Sequence, residues 1–365
     1  MSKILKSPAK YVQGQGVLQE FDQYLQGMGK RLLIIISQSG TKRICPTLER
    51  CFEGKDYALH YEVFQGECSQ RQIDRLVASV KEHSCTAVVG IGGGKILDTA
   101  KGVAYYTGLP VVIVPTVAAT DSPCSSLSVV YRDNGEFERY LFLDRCPDIV
   151  LVDTAVIAKA PVSLLVAGMG DAMATWFEAR ACRASGSDNQ VHAKPTFAAT
   201  GLAAMCWEHL QQDGVQAKQD LDAGKCTEAV ETIVEVNTYL SSVGFESGGL
   251  AAAHAIQKGF TFIPQLHEQY HGNKVAFCTL TQLMLEQAPQ EEIDAVLQFC
   301  RKVGLPVCFA DMGYTEVDHN LLHLAAEKAC VSGSTIHNMP FPVTGEMVYR
   351  ALLAADEAGT MCHQN

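Results

Sequence analysis

Short β-branched runs alternate with amphipathic stretches through about the first 150 residues. Leu32–Ile36, Ala58–Val63, Ala87–Ile91, Pro110–Val114 and Ile149–Val152 read as strands. Between them, the segment from Gln70 to Lys81 carries Ile73, Leu76, Val77 and Val80 at helical spacing. This alternation predicts a parallel sheet covered by helices on both faces. Leu127–Tyr131 and Tyr140–Leu143 flank Asp133-Asn134-Gly135, a turn sequence, and predict an inserted antiparallel hairpin.

After about Pro161 the texture changes, and Ala- and Leu-rich segments dominate. Helices are expected over 164–184, 196–212, 227–243, 249–259, 274–287 and 291–303. The fold class is therefore α/β with a Rossmann-like parallel sheet over residues 1–160, followed by an all-α domain over 161–365. The cleft between two such domains is the default place for a ligand site.

Composition narrows the function. Apolar residues make up 47% of the chain and charged residues 19%, which fits a globular protein and excludes a disordered one. The net charge of −11 carries no basic run, so a nucleic-acid partner is not expected. The N-terminus lacks the apolar core of a signal peptide, and the run from Val111 to Val117 already holds Pro115 and Thr116. A cytoplasmic chain with no membrane partner is expected. The fourteen cysteines form no C-x-x-C pair and read as reduced thiols filling small apolar sites.

Three candidate sites stand out. In Ala87-Val-Val-Gly-Ile-Gly-Gly-Gly-Lys-Ile-Leu-Asp-Thr-Ala-Lys101 a buried strand runs into three glycines ahead of a helix. Successive backbone N–H groups and a helix start suit a pyrophosphate. The same glycines equally serve a sharp strand-to-helix turn, and Lys95 stands where the dinucleotide fingerprint has its third spaced glycine. The second site, Val114-Pro-Thr-Val-Ala-Ala-Thr-Asp-Ser-Pro-Cys-Ser-Ser-Leu-Ser128, holds one carboxylate, Asp121, after the fourth predicted strand. That residue suits binding of substrate hydroxyls, or a turn or helix cap. The third comprises Asp171 in an apolar helix, His254 at the end of Gly248-Gly-Leu-Ala-Ala-Ala-His254, and His271 ahead of another apolar helix. A buried charge is costly unless paired or metal-bound, and one carboxylate with two imidazoles can hold a divalent metal. Each histidine taken singly is more often an ordinary hydrogen-bonded one. His319 and His323 read as an exposed helix face.

Several ordered motifs together resemble the glycerol dehydrogenases, a branch of the iron-containing (group III) alcohol dehydrogenases. They are Ser7-Pro-Ala-Lys-Tyr-Val-Gln-Gly14, Gly90-Ile-Gly-Gly-Gly-Lys-Ile-Leu-Asp-Thr-Ala-Lys101 and Asp171-Ala-Met-Ala-Thr-Trp-Phe-Glu-Ala-Arg180. Gly244-Phe-Glu-Ser-Gly-Gly-Leu-Ala-Ala-Ala-His254, Tyr270-His-Gly-Asn-Lys-Val-Ala-Phe277 and Thr335-Ile-His-Asn-Met339 follow in order. The resemblance implies a dehydroquinate synthase-like architecture with NAD and a metal in its cleft. It implies Asp171, His254 and His271 as metal ligands, with His254 and Asp121 at the reacting substrate. Gly92, Gly93, Gly94 and Lys95 would contact the pyrophosphate, and Thr116, Thr120, Ser125, Leu127 and Tyr131 the rest of the cofactor. It also implies a homo-oligomer, commonly an octamer.

Two departures qualify it. Thr175 stands where many iron-binding relatives carry a further histidine, so three protein ligands favour Zn2+. After the first predicted strand the chain reads Ile36-Ser-Gln-Ser-Gly40, without the aspartate that commonly holds the adenine ribose, which leaves the strictness of NAD over NADP open at Ser37 and Gln38. The expected reaction is oxidation of glycerol to dihydroxyacetone, with the metal lowering the pKa of a substrate hydroxyl and hydride passing to the nicotinamide. His267 is a candidate for proton relay, with water as the other route. The rivals are another small diol or hydroxy acid, a dehydroquinate-synthase-like lyase, and a non-catalytic sensor.

Overall fold

The computed structural model describes residues 2–364. One compact unit comprises Lys6–Ala118 and Ser122–Pro161. Residues 162–364 form the other, joined by residues 2–5 and by Ala119–Asp121. Both short segments fall within the 1–160 span read from sequence as the sheet domain.

The first unit holds strands β1 (Lys10–Gly14), β2 (Arg31–Ser37), β3 (Ala58–Phe64), β4 (Ala87–Gly92), β5 (Val111–Pro115), β6 (Leu127–Tyr131), β7 (Phe137–Phe142) and β8 (Ile149–Asp153). Its helices are α1 (Phe21–Tyr24), α2 (Gln38–Phe52), α3 (Gln70–Glu82), α4 (Gly94–Thr107) and α5 (Thr154–Ile157). Six strands make one parallel sheet in the order β1-β8-β5-β4-β2-β3. Leu32–Ile36 of β2 are wholly buried, as a strand covered on both faces must be, which explains its unbroken apolar run. On one face Leu32, Ile34 and Ile36 pack with Ile44 and Leu48 of α2. The chain winds from β2 to β3 on one side and then to β4 on the other. The strand order therefore switches between β2 and β4, where Ile36 pairs with Ile91. Ser37 and Gly92 thus end their strands side by side, at the point where open α/β sheets bind ligands.

β6 and β7 form the expected antiparallel hairpin, with a bulge between Val130 and Tyr131. β1 has no counterpart among the strands read from sequence.

The second unit contains α6 (Val162–Ser185), α7 (Phe197–Asp222), α8 (Glu228–Glu235), α9 (Ser241–Gly248), α10 (Ala252–Gly259), α11 (His271–Glu286), α12 (Gln290–Val303), α13 (His319–Ala329) and α14 (Gly345–Gln364). A π-helical turn, Val236–Leu240, joins α8 to α9. The segment expected as a single α-helix over 227–243 is thus three pieces. Asn237 in the turn donates to the carbonyl of Leu165 at 3.0 Å, tying the irregular backbone to α6. α6 crosses α11 closely, because a Cβ on either Gly170 or Gly272 would strike main-chain oxygen of the facing helix. Among the described residues no helix is long and apolar enough to cross a membrane.

Candidate metal centre and glycine turn

α6 is buried on nearly every side, and its polar residues Asp171, Thr175 and Glu178 are wholly buried as well. Their spacing of four and then three residues puts all three on one helix face. α10 delivers His254 to that face. The chain breaks at Gly249, whose φ of +106° and ψ of 161° only glycine adopts readily, and α10 restarts at Ala252. The exposed N–H groups of the restart are satisfied by side chains. Glu178 Oε1 accepts from Ala251 (2.8 Å) and His254 (3.0 Å), while Gln282 Oε1 accepts from Ala252 (3.1 Å) and Ala253 (3.0 Å). Glu178 Oε2 lies 2.5 Å from His254 Nδ1, which fixes the proton there and leaves the Nε2 lone pair facing Asp171.

His271 opens α11, beside the Gly272 crossing. Its Nε2 and that of His254 each stand 3.3 Å from Asp171 Oδ1, an oxygen that accepts no hydrogen bond although fully buried. Asp171, His254 and His271 have ligand atoms all within 4.8 Å of one another. Donors bound at 2.0–2.1 Å to a tetrahedral ion are spaced by roughly 3.3–3.4 Å, so the site fits a divalent metal. Burial disfavours ionisation of Asp171, yet the charges of His271 and His254 and their contacts to it hold its carboxyl well below the usual range. His254 is pulled the other way: burial opposes its charge, but Glu178 and Asp171 raise its pKa well above the ordinary value. The array therefore favours a bound cation, whether protons or a metal supply it. The His271 side chain is 37% exposed against 9% for His254, so the cluster is open on the His271 side.

Asp121 joins this centre. Its N–H donates to Asp171 Oδ2 at 3.0 Å, and its carbonyl accepts from the hydroxyl of Ser242, just after the π-helical turn. Thr120 lies in the same short segment. Thr175 turns its hydroxyl to Ser241 (2.9 Å) and packs its methyl where a Cβ on Gly244 would fall. His267, a candidate for proton relay, is exposed and holds the carbonyl of Thr261 at 2.9 Å. His319 and His323 are exposed against Tyr349, the first at 2.9 Å from its hydroxyl and the second stacked on its ring.

In the sheet unit, Gly93 stands immediately ahead of α4 without a side-chain cap. A Cβ on Gly92 would collide with Ile96 at 2.5 Å, whereas one on Gly93 meets nothing nearer than Val117 at 3.7 Å. Gly92 therefore serves the tight turn, and Gly93 and Gly94 present the free helix end. Lys95 is paired with Glu67 at 2.6 Å. Thr116 is buried, its N–H bound to Gly92 O at 3.0 Å.

Lys101 is a residue that sequence reasoning passed over. It is 1% exposed, and its Nζ donates to Ser122 O (2.5 Å), Ser125 Oγ (3.2 Å) and Leu127 O (3.0 Å), 3.5 Å from Asp98 Oδ1. Asp98 accepts in turn from the N–H of Val129 at 3.0 Å. Ser125 and Leu127, both expected at the cofactor, are thus held by Lys101 through the hydroxyl of the first and the carbonyl of the second. Tyr131 is half-buried, and burial with the nearby Asp98 pushes its phenol up to about 12. Ser37 caps α2, accepting from the N–H of Gly40 at 3.0 Å.

Residues 8–154 match the family model of the iron-containing alcohol dehydrogenases. Over 359 residues the chain is 50% identical to a glycerol dehydrogenase of Citrobacter freundii, covering 98% of each. A solved probable glycerol dehydrogenase from Sinorhizobium meliloti 1021 superposes with a TM-score of 0.92 at 41% identity, covering 98% of this chain and 99% of that one. The glycerol dehydrogenase of Schizosaccharomyces pombe superposes with a TM-score of 0.96 at 33% identity, covering 100% and 92%.

Proposed function

The chain belongs to the iron-containing alcohol dehydrogenase family, and on that premise we propose that it oxidises glycerol to dihydroxyacetone with NAD and zinc. The observation that carries the reading is the convergence of Asp171 Oδ1 with the Nε2 atoms of His254 and His271, backed by full-length likeness to glycerol dehydrogenases. Zinc held by these three residues would supply a Lewis acid that favours the ionised form of a substrate hydroxyl. Three donors, with Thr175 committed to Ser241, support zinc over a metal that needs a fourth protein ligand.

The side chains around the centre do the positioning. Glu178 fixes the tautomer and orientation of His254. Asp121, tethered to Asp171 through its N–H, is assigned to a substrate hydroxyl. In the sheet unit the free end of α4 at Gly93 and Gly94 would receive the pyrophosphate, with Gly92 and Lys95 beside it. Lys101 fixes the segment bearing Ser125 and Leu127, which together with Thr116, Thr120 and Tyr131 completes the assigned cofactor contacts. Ser37 offers no carboxylate against a 2′-phosphate, so NAD is the preferred rather than the exclusive cofactor. NAD, when bound, would supply the hydride acceptor for the substrate carbon, and the hydroxyl proton would leave to water. A cytoplasmic homo-oligomer is part of the same proposal, checked by light scattering on the purified protein.

The test follows the absorbance of reduced nicotinamide with glycerol and NAD, before chelation, after it, and after zinc is returned. Turnover that chelation removes and zinc restores is the expected result. Turnover indifferent to chelation would remove the metal from the account, and turnover with other diols but not glycerol would overturn the substrate.

A further inference from the structure

A second cluster of metal-ligating side chains lies in the helical unit and has no part in the chemistry above. Cys308, Asp311 and His363 have ligand atoms all within 4.8 Å of one another. We propose that Cys308 Sγ, Asp311 and His363 Nε2 form a second, non-catalytic site for a thiophilic divalent cation of the zinc class, pinning the last turn of α14 to the segment after α12.

The fold builds this cluster deliberately close. α14 lies directly on the backbone at Val307, since a Cβ on Gly359 would strike the Val307 carbonyl oxygen. Three residues earlier, Asp356 accepts from the N–H of Phe309 at 2.7 Å. Seven residues on from Asp356, two helical turns along the same face, His363 faces Asp311 with Nε2 at 3.1 and 3.0 Å from its two carboxylate oxygens. Asp311 is itself fixed by the N–H of Val307, which its Oδ2 accepts at 2.9 Å. The pair alone would be an ordinary ion pair. What sets it apart is the buried thiol of Cys308 within reach of both partners. Thiolate, imidazole and carboxylate together are a zinc donor set, and hard cations such as calcium or magnesium want more oxygens than this site holds. The exposed flank at Asp311 and His363 leaves room for water as a fourth ligand.

This site is independent of the reading of the Asp171 centre, and cobalt(II) separates the two, because only a thiolate ligand gives thiolate-to-cobalt charge-transfer absorption. Chelated full-length protein titrated with cobalt(II) is expected to show that band in the wild type and in Asp171→Asn, and to lose it in Cys308→Ser. His363→Ala, a change at an exposed side chain, is also expected to lose the band and one bound zinc per chain while keeping glycerol turnover unchanged. No thiolate band in the wild type, or a band and zinc stoichiometry that survive both substitutions, would overturn the proposal.

Discussion

Glu178 stands behind His254, its Oε2 2.5 Å from Nδ1 while its Oε1 accepts the N–H groups of both His254 and Ala251. One carboxylate therefore sets the ring tautomer and anchors the helix start that carries the ring. Glu178→Ala is expected to weaken zinc binding by about 10–100-fold, the usual effect of losing such an outer partner. It also strands two buried N–H groups at a cost of about 1–3 kcal/mol each. Glu178→Gln can still accept both backbone N–H groups but then turns its NH2 toward Nδ1 and disfavours the ligating tautomer, so it should keep most of the stability while losing zinc affinity. Chelator competition measures the first effect and thermal melting the second. A lower melting temperature with unchanged zinc affinity would make Glu178 a purely structural residue.

Gly272 lets α11 approach α6 next to His271. A methyl group there would enter the space of the Ala167 carbonyl oxygen, and backbone cannot yield as a side-chain tip can. Gly272→Ala is expected to cost about 1–3 kcal/mol in stability and to weaken zinc binding by displacing His271 from Asp171. Denaturant titration and zinc competition check the two parts. Native stability together with native affinity would show that the crossing is not what positions His271.

Lys101 is buried and bridges α4 to the Ser122–Leu127 segment. Lys101→Met leaves Asp98 buried without its cation, a loss of about 3–5 kcal/mol. NAD affinity, read by quenching or calorimetry at a temperature where the variant is folded, should fall as the segment loosens. Zinc affinity should not, because the proposed donors Asp171, His254 and His271 all belong to the helical unit.

Thiol reactivity should divide sharply. Of the fourteen cysteines, Cys226, Cys330 and Cys362 are partly exposed and the other eleven are buried. Burial, helped by Glu327, pushes the Cys330 thiol up to about 11. Its thiolate fraction therefore rises with pH up to that value, and its alkylation rate should climb roughly tenfold per pH unit across the alkaline range. Mass spectrometry after brief alkylation should find label only on those three residues. Rapid labelling of Cys182 or Cys206 in the native protein would contradict the packing described.

Much of the architecture was legible because burial on both faces writes itself into sequence. The runs at Leu32, Ala87 and Ile149 are strands, and the segment from Gln70 is a helix to Glu82. β1 escaped because Lys10-Tyr-Val-Gln-Gly14 is short and polar, and holds its place by pairing with β8 rather than by its own pattern. The tail of α7 beyond Gln212 was lost for the same reason, since Asp213–Asp222 is mostly polar. The π-helical turn leaves no periodic trace, because one wide turn does not alter which residues are apolar.

Asp171, His254 and His271 stood out as polar residues in apolar surroundings, and the structure brings their ligand atoms together. Glu178 carries the same signal, a charge seven residues further along the same buried helix. Asp121 was legible as a lone carboxylate, but its tether to Asp171 runs through its backbone N–H, which no side-chain pattern reveals.

The most direct measurement is anomalous X-ray scattering at the zinc absorption edge from crystals of the zinc-reconstituted protein. A peak bounded by Asp171 Oδ1, His254 Nε2 and His271 Nε2 is expected, absent from Asp171→Asn crystals grown alike. Wild-type crystals that turn over glycerol yet show no density among those three atoms would contradict it.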